Sequence, residues 1–442
     1  MASLSVTFAA FEEHAMPVLI ELVLAAALTV GSPVAPDEQF PGRAPQGEAT
    51  PLKAAVAAAT VAANPIVCEG DGKAGKRVQV LYAREKQQAS RLALFLPSFR
   101  AWSHEIDASY NDSAAQTGAS RHIRFVTETA GSACRIAVQE VVLPTGGLDS
   151  WDSMVTALQG AGHKDPNRKY LVFADAKKIC GVGTLYGDDR PGPDNANNRN
   201  TGYARVDASA NCWGFNAAAH ELGHTFGAVQ SSAPHYNGHC SDEWDLMCYG
   251  SGTTVVCPEK DSDRLLDCNK DDYFNTAPAP GSYLATHWNV ANSDWLIKSA
   301  VPDARPGPRH GQVYEFVNEA GALGVASADD LAYVTSQPAT GATSQQWRFQ
   351  YATGWQLQNV SSGKCADSAF SGTTPGTQVL QYPCKGQDGM RWTLHPLGDD
   401  LYGVLNTLTG LAITDAGGNQ RVTQQPFTGA ADQRWQLRKV SD

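Results

Sequence analysis

The stretch HELGHTFGAVQ, residues 220–230, decides how this chain is interpreted. Three alanines precede it and favour a helix, and Gly227 is typical of the residue just after a helix end. On a helix, His220 and His224 are four positions apart, so both imidazoles project from one face. Two nitrogen ligands at this spacing suit Zn²⁺, and Glu221 can act on a water molecule at the metal without being a ligand. The stretch therefore predicts a zinc-binding helix.

The same stretch resembles the metzincin signature, His-Glu-x-x-His-x-x-Gly-x-x-His, which a Met-turn follows later in the chain. Gly227 occupies the glycine position, and EWDLMCYG supplies Met247 for the turn. The resemblance implies a zinc metalloprotease domain, which we place at residues 66–300, with Glu221 as the general base. It also implies a role for Tyr249, because the Met-x-Tyr pattern of astacins and serralysins brings a tyrosine near the metal or the oxyanion. The alternative for Tyr249 is a core tyrosine bonded to the backbone.

The third zinc ligand is where the chain departs from this pattern. Gln230 stands where a histidine or aspartate is expected, and a neutral amide is a poor zinc ligand. Leishmanolysin-like metzincins tolerate an insertion here, so His235 or His239 can supply a displaced ligand. His239 lies eight residues before Met247, the offset of matrix metalloproteases, and next to Cys240, which a disulfide could fix. The predicted zinc ligands are therefore His220, His224 and His239, with His235 and Gln230 as alternatives to the third.

The remainder of this region predicts an α/β domain. KRVQVLYAR and KYLVFADA have the composition of strands, and residues 150–160 and 212–226 have that of helices. Strands that alternate with helices are typical of α/β proteins. VPDARPGPRHG, residues 301–311, carries three prolines and marks a linker to the next domain.

The chain after the linker contains an internal repeat. SQQWRF, GMRWTL and DQRWQL place Trp347, Trp392 and Trp435 at intervals of 45 and 43 residues. Fixed periods of this size indicate repeated units that share one core. Residues 312–442 resemble a ricin-type β-trefoil, an all-β carbohydrate-binding fold whose three subdomains each end in Gln-x-Trp. The chain is thus expected to be multidomain, an α/β metzincin-like protease domain joined to this trefoil.

The trefoil resemblance also implies a sugar site in its middle unit. Sugar sites of the family combine an aspartate, an aromatic platform and an Asn-Gln pair, and the middle unit keeps Asp367 and Tyr382. Gly389 and Met390 occupy the Asn-Gln positions, so the predicted glycan site is incomplete. The resemblance further implies a disulfide between the two cysteines of this unit, Cys365 and Cys384.

The cysteines indicate the compartment. None of the ten precedes Cys68, and they fall into even groups with mostly wide spacings. This arrangement fits disulfides, and disulfides fit a secreted, extracellular protein.

The N-terminal residues agree only in part with secretion. PVLIELVLAAALTV, residues 17–30, is long enough for the apolar part of a signal peptide and too short for a membrane span. No Lys or Arg precedes it, so an ordinary helix in a pro-region is the alternative. We assign residues 1–31 as a signal-like segment and residues 32–65 as a pro-segment or linker. No other stretch could span a membrane.

Charge and ion preferences complete the prediction. The net charge is 34 − 45 = −11, with no dense stripe of Lys or Arg, which argues against nucleic acid as a partner. The cluster from Asp267 to Asp272 has oxygen ligands at alternate positions, which suggests Ca²⁺, although a polar turn explains it as well. We expect a monomeric, secreted zinc endopeptidase acting on a protein or peptide substrate, with a glycan-binding module. The alternative is an inactive secreted lectin-like protein whose metal site has decayed, as Gln230 would mark.

Overall fold

The computed structural model describes residues 66–441, except 131–132, 209–211, 243, 249–256, 258–263, 304–307, 352–353 and 399–400. The predicted signal-like segment and pro-segment lie outside the described residues, as does Tyr249. Within the described ranges, no helix is long and apolar enough to cross a membrane.

The N-terminal domain alternates strands with helices, as predicted. Its strands are β1 Arg77–Glu85, β2 Ser120–Ile123, β3 Thr127–Ala130, β4 Ala133–Ile136, β5 Val138–Leu143, β6 Arg168–Ala174, β7 Gly181–Gly183, β8 Gly202–Asp207 and β9 Leu296–Ser299. Its helices are α1 Leu92–Ala115, α2 Trp151–Gly160, α3 Ala196–Arg199, α4 Phe215–Phe226 and α5 Tyr283–Thr286.

The central sheet has the strand order β5-β1-β6-β8-β7. Its first four strands are parallel, and β7 runs antiparallel to β8 at the edge. Side chains alternate between the two faces of β1: Val80 and Tyr82 belong to the core that contains α1 and α4, whereas Leu81 and Ala83 belong to the core that contains α2. Both faces of the sheet are therefore buried under helices, which explains the apolar runs of β1 and β6.

The longest helix, α1, has 24 residues and was not predicted. Pro97 lies inside it, and more than half of its residues are buried, including serines, an aspartate and an asparagine. A helix that is buried on several sides lacks the single apolar stripe by which sequence patterns are recognised. Its position between the central sheet and the second domain accounts for this burial.

The C-terminal domain is all-β, as predicted. Its strands are β10 Val313–Val317, β11 Ala322–Val325, β12 Val334–Gln337, β13 Gln346–Tyr351, β14 Trp355–Asn359, β15 Cys365–Ser368, β16 Val379–Tyr382, β17 Trp392–Gly398, β18 Leu401–Asn406, β19 Leu411–Thr414, β20 Thr423–Pro426 and β21 Trp435–Ser441. They form one sheet, in which the first strand, β10, pairs with the last, β21.

The three repeat tryptophans hold equivalent positions in this sheet. All are buried, and each indole N–H donates to a backbone carbonyl 22 to 26 residues earlier in the chain. The acceptors are Leu323 for Trp347, Ala366 for Trp392 and Ile413 for Trp435. Each tryptophan thus ties the end of its own unit to that unit's first hairpin, which accounts for the repeat period.

Ten cysteines form five disulfides, so the even-count prediction is confirmed. The pairs are Cys68–Cys134, Cys180–Cys212, Cys240–Cys248, Cys257–Cys268 and Cys365–Cys384. The last is the pairing that the trefoil resemblance implied.

Candidate metal centre

Helix α4 carries the motif from which the sequence analysis began. Ten of its twelve residues are buried, so the helix lies within the domain. It ends at Gly227, whose φ of 99° is left-handed and whose N–H donates to the carbonyls of Gly223 and His224. A Cβ at Gly227 would also lie 2.5 Å from Nε1 of Trp288, which donates to Phe226 O. Only glycine therefore allows the chain to turn away here.

Three imidazoles converge beside this helix. Nε2 of His224 lies 3.1 Å from Nε2 of His220 and 3.1 Å from Nε2 of His239. Nδ1 of His220 donates to Leu246 O at 2.9 Å, and Nδ1 of His224 donates to Ala228 O at 2.7 Å. Because a carbonyl only accepts, Nδ1 carries the proton in both rings and Nε2 keeps its lone pair. Bonds of this kind are those by which proteins orient metal-ligating histidines.

The electrostatics of the three rings favour their neutral forms. Burial lowers the pKa of His224 to about 3, with a further contribution from His239. Burial and the two neighbouring imidazoles hold the pKa of His220 well below its usual value, and burial also lowers that of His239. Tetrahedral Zn²⁺ with bonds of about 2.0–2.1 Å places its ligand atoms roughly 3.3 Å apart. The donor type, the protonation and the spacing therefore all fit zinc.

Glu221 lies on the same helix, under strand β7. It is 7% exposed, and burial raises the pKa of its carboxyl to about 8. A Cβ at Gly181 would lie 2.5 Å from Glu221 Oε1 and 2.7 Å from its Cγ. A Cβ at Gly183 would lie 2.5 Å from Glu221 O and 2.9 Å from Cβ of His224. The Gly-Val-Gly sequence of β7 thus allows the edge strand to pass against Glu221 and His224.

Met247 packs beneath the helix and not at the imidazole nitrogens. It is fully buried, and its Sδ lies 2.6 Å from the position of a Cβ at Gly223. Its N–H donates to Asp245 Oδ1, which also accepts from the Tyr273 hydroxyl at 2.6 Å. Asp245 is buried, and its other oxygen accepts from the N–H of Cys268. This carboxylate organises the turn under the metal centre, and nothing in the local sequence distinguished it from an ordinary loop aspartate.

The three candidates for the third ligand occupy different positions. His239 joins His220 and His224, and the adjacent Cys240–Cys248 disulfide ties its segment to Met247. Gln230 is buried, and its amide N–H groups donate to Gly227 O at 2.9 Å and Tyr186 O at 3.1 Å, which is a structural role.

His235, by contrast, lies in an acidic cluster with three aspartates. Asp267, the first residue of the suggested calcium loop, accepts hydrogen bonds from the N–H groups of four residues, 271 to 274. Its oxygens therefore close a polar turn, and they are not among the atoms that group around His235. Asp271 and Asp272 of the same loop do belong to the group around His235, so calcium binding by this loop stays a prediction.

The predicted sugar residues lie on one hairpin of the second domain. In the β15–β16 register, Asp367 faces Leu380 and Cys365 faces Tyr382, so Asp367 and Tyr382 are diagonal neighbours on the same side. Asp367 is 4% exposed, and its Oδ1 has no hydrogen-bond partner among the described residues. Burial raises the pKa of this carboxyl to about 6. A buried carboxylate oxygen without a partner is the kind of group that a ligand hydroxyl satisfies.

Two further residues near Asp367 have features that the sequence analysis did not predict. A Cβ at Gly389 would lie 2.1 Å from Asp367 Oδ1, so the residue in the Asn position leaves room for that carboxylate. Phe370, three residues after Asp367, is 80% exposed and has a left-handed φ of 54°. An exposed aromatic ring held by the backbone in this way is available to stack on a ligand. Its sequence context, a phenylalanine in a Ser-Gly-Thr-rich loop, was the only available signal.

Two regions of the chain match known families. Residues 147–280 match the family model of reprolysin-like metallopeptidases of family M12B. Residues 285–382 and 343–419 match the model of ricin-type beta-trefoil lectin-like domains. The chain therefore combines a reprolysin-like α/β domain with a C-terminal β-trefoil-like lectin region. A comparison with curated proteins gives no significant match.

Several solved structures are similar to about a third of the chain. The designed three-fold symmetric protein ThreeFoil is 30% identical, over 29% of this chain and 99% of its own, with a TM-score of 0.28. An exo-beta-1,3-galactanase from Clostridium thermocellum is 24% identical, over 32% of this chain and 33% of its own, with a TM-score of 0.28. A ricin B-like lectin from Macrolepiota procera, solved with lactose, is 18% identical, over 30% of this chain and all of its own, with a TM-score of 0.27.

Proposed function

We propose that this chain is a secreted zinc endopeptidase that hydrolyses peptide bonds, and that its trefoil binds glycans close to the substrate. The single observation that supports it most is the convergence of three neutral imidazoles beside Glu221. Imidazoles that only packed in a core would not need the Nε2 atoms of His220 and His239 each at 3.1 Å from that of His224. The family match of residues 147–280 points to the same class of enzyme.

His220, His224 and His239 would hold the zinc ion. When bound, zinc polarises the scissile carbonyl and lowers the pKa of a water molecule at the site. Glu221, one residue after the first ligand, accepts the proton of that water and passes it to the leaving amine. Its burial favours this task, because a carboxyl with a raised pKa both takes and returns a proton near neutral pH. A nearby dication lowers that pKa from its metal-free value of about 8.

The edge strand β7 supplies a place for an extended substrate. It is the last strand of the sheet order, and its two glycines contact Glu221 and His224. A peptide that pairs with an edge strand gains backbone hydrogen bonds without sequence specificity. A chain added to β7 would therefore run past the general base, as an endopeptidase requires.

The trefoil supplies a second binding function in this proposal. Asp367 brings a buried carboxylate oxygen, and Tyr382 and Phe370 bring aromatic faces for the apolar side of a sugar. Binding to a glycan near the substrate raises the effective substrate concentration.

Replacement of the general base tests the catalytic proposal. Glu221→Gln should retain zinc and fold normally, yet lose about 10²–10⁴-fold in kcat on a fluorogenic peptide, the usual contribution of general acid–base catalysis. Glu319→Gln, an exposed glutamate in the trefoil, is the matched control and should cleave at the wild-type rate. Near wild-type hydrolysis by Glu221→Gln would remove the assigned base. Absence of zinc and of hydrolysis in the wild-type protein would favour the lectin-like alternative.

A further inference from the structure

A second group of metal-binding residue types lies outside the three-histidine centre. His235, Asp242, Asp271 and Asp272 each present one donor atom, and these four atoms lie within 4.8 Å of one another. Nδ1 of His235 is 3.3 Å from Asp272 Oδ2 and 3.6 Å from Asp271 Oδ1. Its distance to Asp242 Oδ2 is 3.8 Å. The group joins the segment around His239 to the turn that follows Asp267.

The hydrogen bonding of Asp272 points to a missing ligand. This residue is 2% exposed, and its Oδ1 accepts from the backbone N–H of His235 at 2.9 Å. Its Oδ2, which faces the group, has no hydrogen-bond partner among the described residues. The same holds for the buried Oδ1 atoms of Asp271 and Asn269. The oxygens of Asp271 and Asp272 both belong to the group around His235, and two buried acceptors so close together are costly unless a cation or a donor lies between them.

The charge of the group also favours a cation. Asp242 is 5% exposed and Asp272 is 2% exposed, so two carboxylates are withdrawn from water beside a third. Burial and the negative charges of Asp267 and Asp271 raise the pKa of Asp272, which records the cost of ionising it without a counter-ion. One imidazole, even when protonated, balances only part of this charge.

We propose that His235, Asp242, Asp271 and Asp272 form a second divalent-metal site that takes a transition-metal ion of the zinc class. The ligand set is one imidazole nitrogen and three carboxylate oxygens. Calcium takes six to eight oxygen ligands, whereas an imidazole suits zinc and its neighbours. Distances of 3.3, 3.6 and 3.8 Å from the imidazole nitrogen are close to the roughly 3.3 Å between ligands of a tetrahedral zinc ion.

The second site lies close in sequence to His239, so an ion bound there should affect the three-histidine centre. His239 lies four residues after His235 and three before Asp242, so both flanks of the third proposed zinc ligand would be held by one ion. This consequence rests on the proposed function, whereas the second site itself does not. Loss of the second ion should loosen the segment and weaken zinc binding at the three histidines, because ligand positioning commonly changes metal affinity 10–100-fold.

Metal counting in the full chain tests the site, with Zn²⁺ as the probe. After loading and dialysis, the wild-type protein should hold two zinc ions, and Asp272→Asn and Asp271→Asn should hold one each. Asp271 is partly exposed, so Asp271→Asn preserves the fold if Asp272→Asn does not, and circular dichroism checks both. Asp149→Asn, an exposed aspartate paired with Lys178, is the control and should keep both ions.

A double variant of the chain separates this proposal from the proposed zinc endopeptidase function. A chain with His220→Ala and His224→Ala should still bind one zinc ion, and Asp271→Asn in that background should abolish it. Zinc binding that is unchanged by substitution at Asp271 and Asp272 would overturn the proposal, as would one ion in the wild type that is lost with the α4 histidines. Stoichiometric calcium that is lost in Asp271→Asn, with no second zinc, would overturn the assignment to a transition metal.

Discussion

Gly181→Ala should strongly reduce the proposed peptidase activity, although the substitution is not at any proposed metal ligand. The added Cβ would lie 2.5 Å from Oε1, 2.7 Å from Cγ and 2.9 Å from Cδ of Glu221. Ordinary contacts begin at about 3.4 Å, so the carboxyl must move by roughly 0.9 Å or adopt another rotamer. Misplacement of a catalytic group by about 1 Å costs on the order of 100-fold in rate. We therefore expect kcat to fall about 100-fold, with little change in KM or in zinc content.

Gly187→Ala is the matched control for this experiment. No heavy atom lies within 4 Å of a Cβ at Gly187, and its φ is not in the left-handed region. Both variants are measured with a fluorogenic peptide, by zinc analysis and by thermal unfolding. Wild-type kcat in Gly181→Ala, with zinc bound, would show that the position of Glu221 under β7 is not needed for catalysis. Loss of zinc or of the fold in Gly181→Ala would refute the claim that the contact acts through Glu221.

Three other predictions concern the three-histidine centre and the sugar site of the trefoil. His239→Ala should lower zinc content at the three-histidine centre steeply, whereas Gln230→Ala should leave it near the wild-type value; the reverse pattern would return the ligand role to Gln230. The metal-free fold should lose stability as pH falls below about 6.5, because the unfolded chain protonates His224 there whereas the folded imidazole, with a pKa of about 3, stays neutral; thermal unfolding of the zinc-free chain from pH 8 to pH 4 checks the direction, and stability that rises as the pH falls would contradict it. On a glycan array, binding by the full chain should fall at least tenfold in Asp367→Ala and more mildly in Phe370→Ala; undiminished binding in Asp367→Ala would place the sugar site in another repeat.

The parts that the sequence predicted correctly depend on regular spacings along the chain. The i, i+4 spacing in α4 predicted a helix and the recurring tryptophans predicted repeated units, and the structure contains both. Alternating strands and helices likewise predicted the α/β class. Tyr249, which lies outside the described residues, stays a prediction.

The remaining features depend on contacts between segments that are distant in sequence. Whether His235 or His239 joins the two helix histidines depends on the path of residues 228–248, and spacing favoured His239 without deciding it. The bracing role of Asp245 depends on Tyr273, 28 residues later, and the need for glycine at position 181 depends on Glu221, 40 residues later. No pattern within one segment records such contacts.

The boundary at residues 301–311 shows that sequence patterns also miss contacts between domains. The prolines predicted two modules joined by a linker, yet α1 of the first packs directly on the second. The indole N–H of Trp102 donates to Thr393 Oγ1 at 2.8 Å, and Glu105 accepts from the indole N–H of Trp355 at 2.9 Å. His395, also buried, donates from Nδ1 to Pro97 O at 2.9 Å.

The chemistry of this interface is that of a protein interior. Trp102 is 1% exposed, and burial raises the pKa of Glu105 to about 7. The apolar side chains of α1 and of the trefoil belong to one continuous buried cluster. A cut at the linker would expose Trp102 and Glu105 and remove their hydrogen-bond partners in the trefoil, Thr393 and Trp355, at a cost comparable to a large core substitution, about 3–5 kcal/mol. The trefoil therefore does more than carry a sugar site: it covers the helix that supports the central sheet on the side of α4, so the stability of the metal centre depends on a domain that contributes none of its proposed ligands.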